Sequence, residues 1–214
     1  MEYFDIYNDK MEHIGTKPRS EVHEKGYWHK SFQCWFIFKE GEKEYILFQK
    51  RHEAKDTYPN LLDISSAGHL SADESLEDGV RELEEELGVK VSYEELKPLG
   101  IIIEQKEEDY FIDNEFANVF LYNCRIPMES FKLQAEEVTG MFKLKIDEVL
   151  DLLEGRLKNI KAEGYELKEN GEYNPISISV EAKDFVPHDL SYYRKILTSA
   201  KQYLNNQILN KTTT

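Results

Sequence analysis

The sequence predicts an α/β fold, with a mixed sheet between helical layers in an α/β/α sandwich. Three observations predict it. Runs such as SFQCWFIF, EYILFQ and NEFANVFLYNC have the aromatic and β-branched composition of strands. Two other segments repeat apolar residues at helical spacing: Leu76, Val80, Leu83 and Leu87 in one, and Ile146, Val149, Leu150 and Leu153 in the other. The chain has 214 residues, 40% apolar and 12% aromatic, which suits one core with additions better than two full domains.

Taken in order, YFDIYNDKMEHIGTKPRS reads as a strand, a turn at Asn8-Asp9-Lys10 and a second short strand closed by Gly15 and Pro18. A linker follows. Two β-rich runs joined by Glu40-Gly41-Glu42-Lys43 then form a hairpin of the central sheet. The segment DTYPNLLDISS ends in a short strand that runs into Gly68. The first amphipathic helix comes next, with Asp73 or Ser75 to cap its start and Gly88 to end it in a left-handed turn. VKVSYEELKPLGIIIEQKEED supplies a short strand or turn and then a strand through Ile101 to Glu104; NEFANVFLYNCRI supplies another. A strand around Gly140 to Leu144 leads into the second helix. Residues 157–185, with scattered Gly and Asn, read as a connecting segment. LSYYRKILTSAKQYLNNQILN reads as an amphipathic closing helix that covers the core or meets a second subunit, and NKTTT is expected to fray. The division is therefore 1–28 as N-terminal hairpin and linker, 29–156 as core domain, and 157–214 as a C-terminal extension ending in a helix.

A formal net charge of −15 argues against non-specific binding to nucleic acid or to an anionic membrane, both of which require a basic surface. No apolar run approaches the roughly 20 residues of a membrane span, and no charged-then-apolar leader opens the chain. A cytoplasmic setting is expected. The two cysteines, Cys34 and Cys124, lie in apolar strand-like runs and read as buried thiols rather than a disulfide.

The chemistry concentrates in RELEEELGV. Successive helical residues turn by about 100°, so Glu82, Glu85 and Glu86 cluster opposite the apolar stripe and are expected to face outward. Like charges at these spacings repel. A hard divalent cation such as Mg²⁺ turns that repulsion into coordination and shares its shell with substrate phosphates.

Here the stretch resembles the Nudix box: Gly, five residues, Glu, seven residues, then Arg-Glu-apolar-x-Glu-Glu-x-Gly-apolar. Gly68 and Glu74 keep the first spacing, and Arg81, Glu82, Leu83, Glu85, Glu86, Gly88 and Val89 fill the second block. One departure is plain: six residues, not seven, separate Glu74 from Arg81, so either the loop is shorter or Asp73 takes the place of Glu74. The resemblance implies a Nudix α/β/α sandwich for the core domain, often with an N-terminal β-hairpin. It also implies hydrolysis of a phosphoanhydride in a small-molecule diphosphate, with Mg²⁺ as cofactor and Mn²⁺ as an alternative. Glu82, Glu85, Glu86 and the Gly68 carbonyl would ligate the metal, one of these carboxylates or an acid outside the box would serve as base, and Arg81 would hold Glu85. Glu115 is the preferred outside acid, ahead of Glu136 and Glu137. A homodimer is left open.

The N-terminal half is similar to type I isopentenyl-diphosphate isomerase, a branch of the same superfamily. That resemblance places His23, His29 and His69, with Glu115, where the isomerase holds a metal. The isomerase's essential cysteine, however, corresponds to Ala67, whose methyl cannot transfer a proton. Two readings of the histidines follow. Together they hold a second metal; or His29 flanks a strand, His69 caps the box loop and His23 is exposed. The second is preferred, since hydrolysis requires no imidazole site. Tyr27, Trp28 and Trp35 are expected in the core or the cleft wall. Isomerisation is the enzyme alternative, and a non-hydrolysing nucleotide sensor, which would normally lack the box carboxylates, is the alternative of another class.

Overall fold

The computed structural model describes residues 2–108, 111–168 and 170–211. Its central strand is Trp28–Glu40, called β3 after the N-terminal hairpin strands β1 (Tyr3–Tyr7) and β2 (His13–Pro18) and the helix α1 (Arg19–Lys25). Alternation along β3 decides what each face does. Phe32, Cys34 and Phe36 point to one face, while Trp35 and Ile37 point to the other with His29, Ser31 and Gln33. One face is therefore apolar from Phe32 to Phe38, and the other changes from polar to apolar along its length.

Around β3 the sheet is mixed. The strand β4 (Lys43–Arg51) pairs with its far end, Ile37–Glu40, in an antiparallel hairpin. The short β6 (Ser66–His69), which follows β5 (Leu62–Asp63), pairs antiparallel with Ser31–Cys34. On its other edge runs β8 (Phe111–Asn123), parallel over ten residue pairs and itself the partner of β7 (Lys97–Glu108). Beyond β4 lies β9 (Val138–Lys145), which leads into helix α3 (Ile146–Leu153).

Helices cover both faces. The box helix α2 (Arg81–Leu87) continues a 3₁₀ turn at Asp78–Val80, and Leu83 and Leu87 pack onto Phe32, Phe36 and Phe120. On the opposite face, α3 and the closing helix α4 (Leu190–Lys211) bury Trp35, Ile37, Phe48 and Phe142. Tyr192, Tyr193, Ile196, Leu197, Ala200 and Leu204 of α4 are buried there, so this helix covers the core. Leu190, expected on the same stripe, is exposed.

Residues 157–185 are not merely a connection. They form the hairpin β10 (Ile160–Leu167) and β11 (Tyr173–Val180), which extends the sheet from β9. Gly164 and the polar residues of β11 obscured its alternation, because an edge hairpin needs little apolar surface. Of the tail expected to fray, Thr212–Thr214 lie outside the described residues. Cys34 and Cys124 are buried free thiols whose pKa values burial pushes up, Cys124 to about 11. No helix among the described residues is long and apolar enough to cross a membrane.

Candidate active site

The polar end of β3 and the box helix border one cleft of about 460 Å³. Gly68, His69, Arg81, Glu82, Glu85, Glu86 and Glu115 all line it, as do Glu136 and Glu137. The preceding loop and helix α2 are tied together by Arg81. Its guanidinium donates to both oxygens of Glu74, at 2.6 and 2.9 Å, to Glu82 at 2.6 Å, to Glu85 at 3.1 Å and to the His69 carbonyl at 3.3 Å. The short loop therefore still delivers Glu74 to Arg81; Asp73 does not replace it. Ser75 opens the 3₁₀ turn by binding the Asp78 carboxylate, and Gly88 closes α2 at φ 68°, a left-handed position that favours glycine.

The three metal-type carboxylates differ from the outward-facing expectation. Glu85 is exposed, Glu82 is half-buried, and Glu86 is buried. The reason is packing. Helix α2 lies so close to β6 that the chain at Gly68 has no room for a side chain: a Cβ there would fall inside the Glu82 carboxylate. Glu86 meanwhile accepts the Ala67 N–H at 3.2 Å. Burial raises the pKa of Glu86 to about 8, reinforced by the neighbouring Glu82 charge. Burial likewise raises Glu82 to about 7, against the opposing pull of Arg81. Two neighbouring carboxylates, one buried and one half-buried, next to a glycine cradle fit a hard divalent cation, which would favour their ionised forms over the protonated ones.

A second donor set lies beside the first. In the ladders, Glu115 sits opposite His29 and His69 opposite Ser31. Helix α1 brings His23 from its last turn. One donor atom each from His23, His29, His69 and Asp113 lies within 4.8 Å of the others. His23 and His29 are buried, so His23 is not the exposed residue of the simpler reading. The Nε2 atoms of all three histidines and Asp113 Oδ1 are buried without a hydrogen bond. His29 Nε2 approaches Asp113 at 3.3 Å and His69 Nε2 approaches Glu115 at 3.1 Å, but neither has hydrogen-bond geometry. Phe4 of β1 covers the group, with its ring 4.8 to 5.9 Å from all three imidazoles. Burial and the two neighbouring histidines lower the pKa of His23 to about 3, leaving it neutral. Burial alone would raise Glu115, but its contact with His69 and the charges of His69, His29 and Lys106 hold it below the usual carboxylate range. Convergent imidazoles whose Nε2 atoms lack partners, together with a carboxylate, fit a borderline transition metal.

Several cleft residues were not singled out in the sequence, namely Gln33, Arg51, Asp63, Lys106, Asp113 and His188, nor was Glu104, which binds Gln33 and His188 from behind the lining. For Gln33 the alternation His29-x-Ser31-x-Gln33 was a usable signal, because polar residues at period two inside an aromatic strand mark a buried polar surface. Arg19, Arg51, Lys55, Arg81 and Lys106 line the cleft, but each is ion-paired with a carboxylate and acids outnumber them in the lining, so an anion needs a metal ion to offset the local negative charge. Of the predicted wall aromatics, Trp35 lies in the core, and Trp28 stacks on Phe116 at 4.7 Å. Tyr27 packs on the N-terminal cluster.

Comparison with known proteins accords with this geometry. Residues 28–166 match the model of the NUDIX domain. The chain is 44% identical over 196 residues to an uncharacterized Nudix hydrolase of Clostridium acetobutylicum, covering 92% of this chain and 95% of that protein. It is 34% identical over 145 residues to the isopentenyl-diphosphate Delta-isomerase of Aliivibrio fischeri, covering 65% of this chain and 78% of that enzyme. In fold it is similar to the crystal structure of DR0079 from Deinococcus radiodurans, with TM-score 0.54, 19% identity and coverage of 70% and 86%. The chain belongs to the Nudix family, and its class is that of hydrolases acting on pyrophosphate bonds.

Proposed function

We propose that this protein cleaves a phosphoanhydride bond in a diphosphate-linked small molecule, a nucleoside di- or triphosphate or a related compound, with Mg²⁺ or Mn²⁺ as cofactor. One observation carries the reading: the complete carboxylate set Glu82, Glu85 and Glu86 faces a cleft that also contains cations for the phosphates. The Gly68 carbonyl and the three glutamates would hold the ion. Such an ion neutralises phosphate charge and orients the attacking water. Arg81 fixes Glu82 and Glu85 in place through its carboxylate bridges. Lys55, Lys106 and Arg51 provide positive charge for the phosphate oxygens. Glu82, whose pKa burial raises in the metal-free site, would be kept ionised by the ion and is the carboxylate we assign as general base. Glu115 is held ionised and is the acid outside the box that completes the set.

The unpartnered histidine atoms favour an addition to this reading: His23, His29 and His69, with Asp113, bind a second divalent ion. Isomerisation is not favoured. Ala67 lies at the cleft wall beside Gly68, and its methyl has no proton to exchange.

The test is a phosphate-release screen with Mg²⁺ or Mn²⁺ over nucleoside di- and triphosphates, nucleotide-sugars, dinucleoside polyphosphates and isopentenyl diphosphate. The expected result is release from one class by the wild type and a loss of about 100-fold or more in Glu86→Gln. Wild-type turnover retained in Glu86→Gln would remove that carboxylate from the mechanism. Conversion of isopentenyl diphosphate to its isomer without phosphate release would replace hydrolysis by isomerisation.

A further inference from the structure

The loop before α4 inserts His188 into the cleft floor, where it is buried between two carboxylates. Its Nδ1 lies 2.5 Å from Glu104 Oε1 and its Nε2 3.4 Å from Asp63 Oδ1. Neither carboxylate ends there. Glu104 accepts Gln33 Nε2 at 2.9 Å, and the same amide reaches Glu115 at 3.4 Å. Asp63 accepts Arg51 at 2.7 Å. Helix α4 adds a second hold: the Tyr192 hydroxyl donates to Gln33 Oε1 at 2.7 Å while accepting the Trp35 indole N–H at 3.0 Å. The Tyr192 ring stacks on His188 at 4.5 Å. An unbroken series of polar contacts thus joins the C-terminal extension to Glu115, and through Glu115 to His69.

A structural role alone would not call for this arrangement. Helix α4 already has Ile196, Leu197, Ala200 and Leu204 to anchor it to the core. A histidine and two carboxylates buried at the same interface add desolvation cost, which apolar residues would avoid. Burial and Lys106 act to lower the His188 pKa, but Asp63 and Glu104 outweigh them and raise it. Each ring nitrogen faces a carboxylate oxygen, which can only accept when ionised, so the arrangement suits a ring that donates from both nitrogens.

We infer that His188 and Tyr192, both from the C-terminal extension, are positioning residues: through Glu104 and Gln33 they fix Glu115 against His69, and His188 also orients Asp63, which with Thr57 holds Arg51 in the cleft. The inference rests on the hydrolase reading for its effect on turnover, but not for its effect on metal affinity. Partners of this kind that orient a metal site change affinity or activity by about 10- to 100-fold when removed.

The experiment compares His188→Gln and Tyr192→Phe with Leu204→Ala, which loosens the same helix outside the polar series. Zn²⁺ affinity is measured against a chromophoric chelator in excess Mg²⁺, which occupies the all-carboxylate site and leaves the imidazoles to Zn²⁺. kcat and KM follow on the substrate found by the screen. Weaker Zn²⁺ binding by about 10- to 100-fold and a lower kcat are expected in both polar variants, with a higher KM in His188→Gln, where Asp63 loses one of the contacts that orient it toward Arg51. Leu204→Ala should lower Tm and leave Zn²⁺ affinity as in wild type. Should His188→Gln fail to fold, Tyr192→Phe decides alone, since it keeps the ring. Wild-type Zn²⁺ affinity and kcat in a folded polar variant, or an equal loss in Leu204→Ala, would overturn the inference. A wild type that hydrolyses nothing would instead overturn the hydrolase reading, and the Zn²⁺ comparison would still judge this one.

Discussion

At the residue scale, the site depends on how closely two backbone segments approach. Gly68 lies against the Glu82 carboxylate with no space for a methyl. In Gly68→Ala either β6 retreats or Glu82 swings out of the cleft, while the box helix keeps its apolar contacts through Leu83 and Leu87. The expected outcome is a fall in kcat of about 100-fold with far-UV circular dichroism unchanged. Turnover at the wild-type level would show that the Glu82 position has slack. This closeness was not legible in the sequence. Helical periodicity correctly separated Leu83 and Leu87 from the glutamates, but it treats the side opposite the stripe as solvent. Glu86 is buried because β6 covers that side, a tertiary fact with no local signature. The Arg81–Glu74 bridge was equally hidden, since the shortened loop left open which acid reaches the guanidinium.

At the element scale, the N-terminal hairpin and α1 act as a cover over the histidines. Phe4 is fully buried and packs with Ile6 and Val22 as well as with the imidazoles. Phe4→Ala removes that cover. A fully buried Phe→Ala change costs about 3–5 kcal/mol, so the denaturation midpoint should fall. Because burial is the largest cause of the depressed His23 pKa, solvent entry should move it from about 3 back towards 6.5. Titration of the His23 ring resonances by NMR checks this, and a pKa that stays near 3 would show that another element shields the ring. The hairpin itself was legible from its turn residues and alternation, as were β3, β8, α3 and α4. The convergence of His23, His29 and His69 was legible only through the isomerase resemblance: it arises from the β3–β6 and β3–β8 registers and the docking of α1, none of which spacing reveals. The hairpin at 160–180 was missed for the reason that makes it an edge, too few buried residues to show a period.

At the scale of the whole molecule, cation binding and folding are coupled through protons. Glu86 titrates at about 8 and Glu82 at about 7 in the folded chain, against an ordinary value of 4.5. Both folded pKa values are raised, so the native state holds protons that the unfolded chain has already released, and the contribution of these two carboxyls to metal-free stability falls as pH rises from about 4.5 to about 8. A divalent ion competes with those same protons, so its binding tightens over the upper part of that window, and ligand that binds only the native state adds stability in proportion. His23 is neutral in the folded chain down to about pH 3, so it releases no proton when a cation binds in this window. In folding it works against the glutamates, because below about pH 6.5 the unfolded chain protonates it and the folded chain does not. The Tm increase produced by saturating Mg²⁺ should therefore be larger at pH 8 than at pH 6, and Glu86→Gln should lose most of the difference. An equal increase at the two pH values in the wild type would place the ion away from Glu82 and Glu86. The acidity of the molecule, −15 overall, sharpens the comparison. Its general repulsion is weakened by any salt, so a matched concentration of monovalent ions should stabilise it to a similar extent at both pH values and leave only the site-specific part to vary.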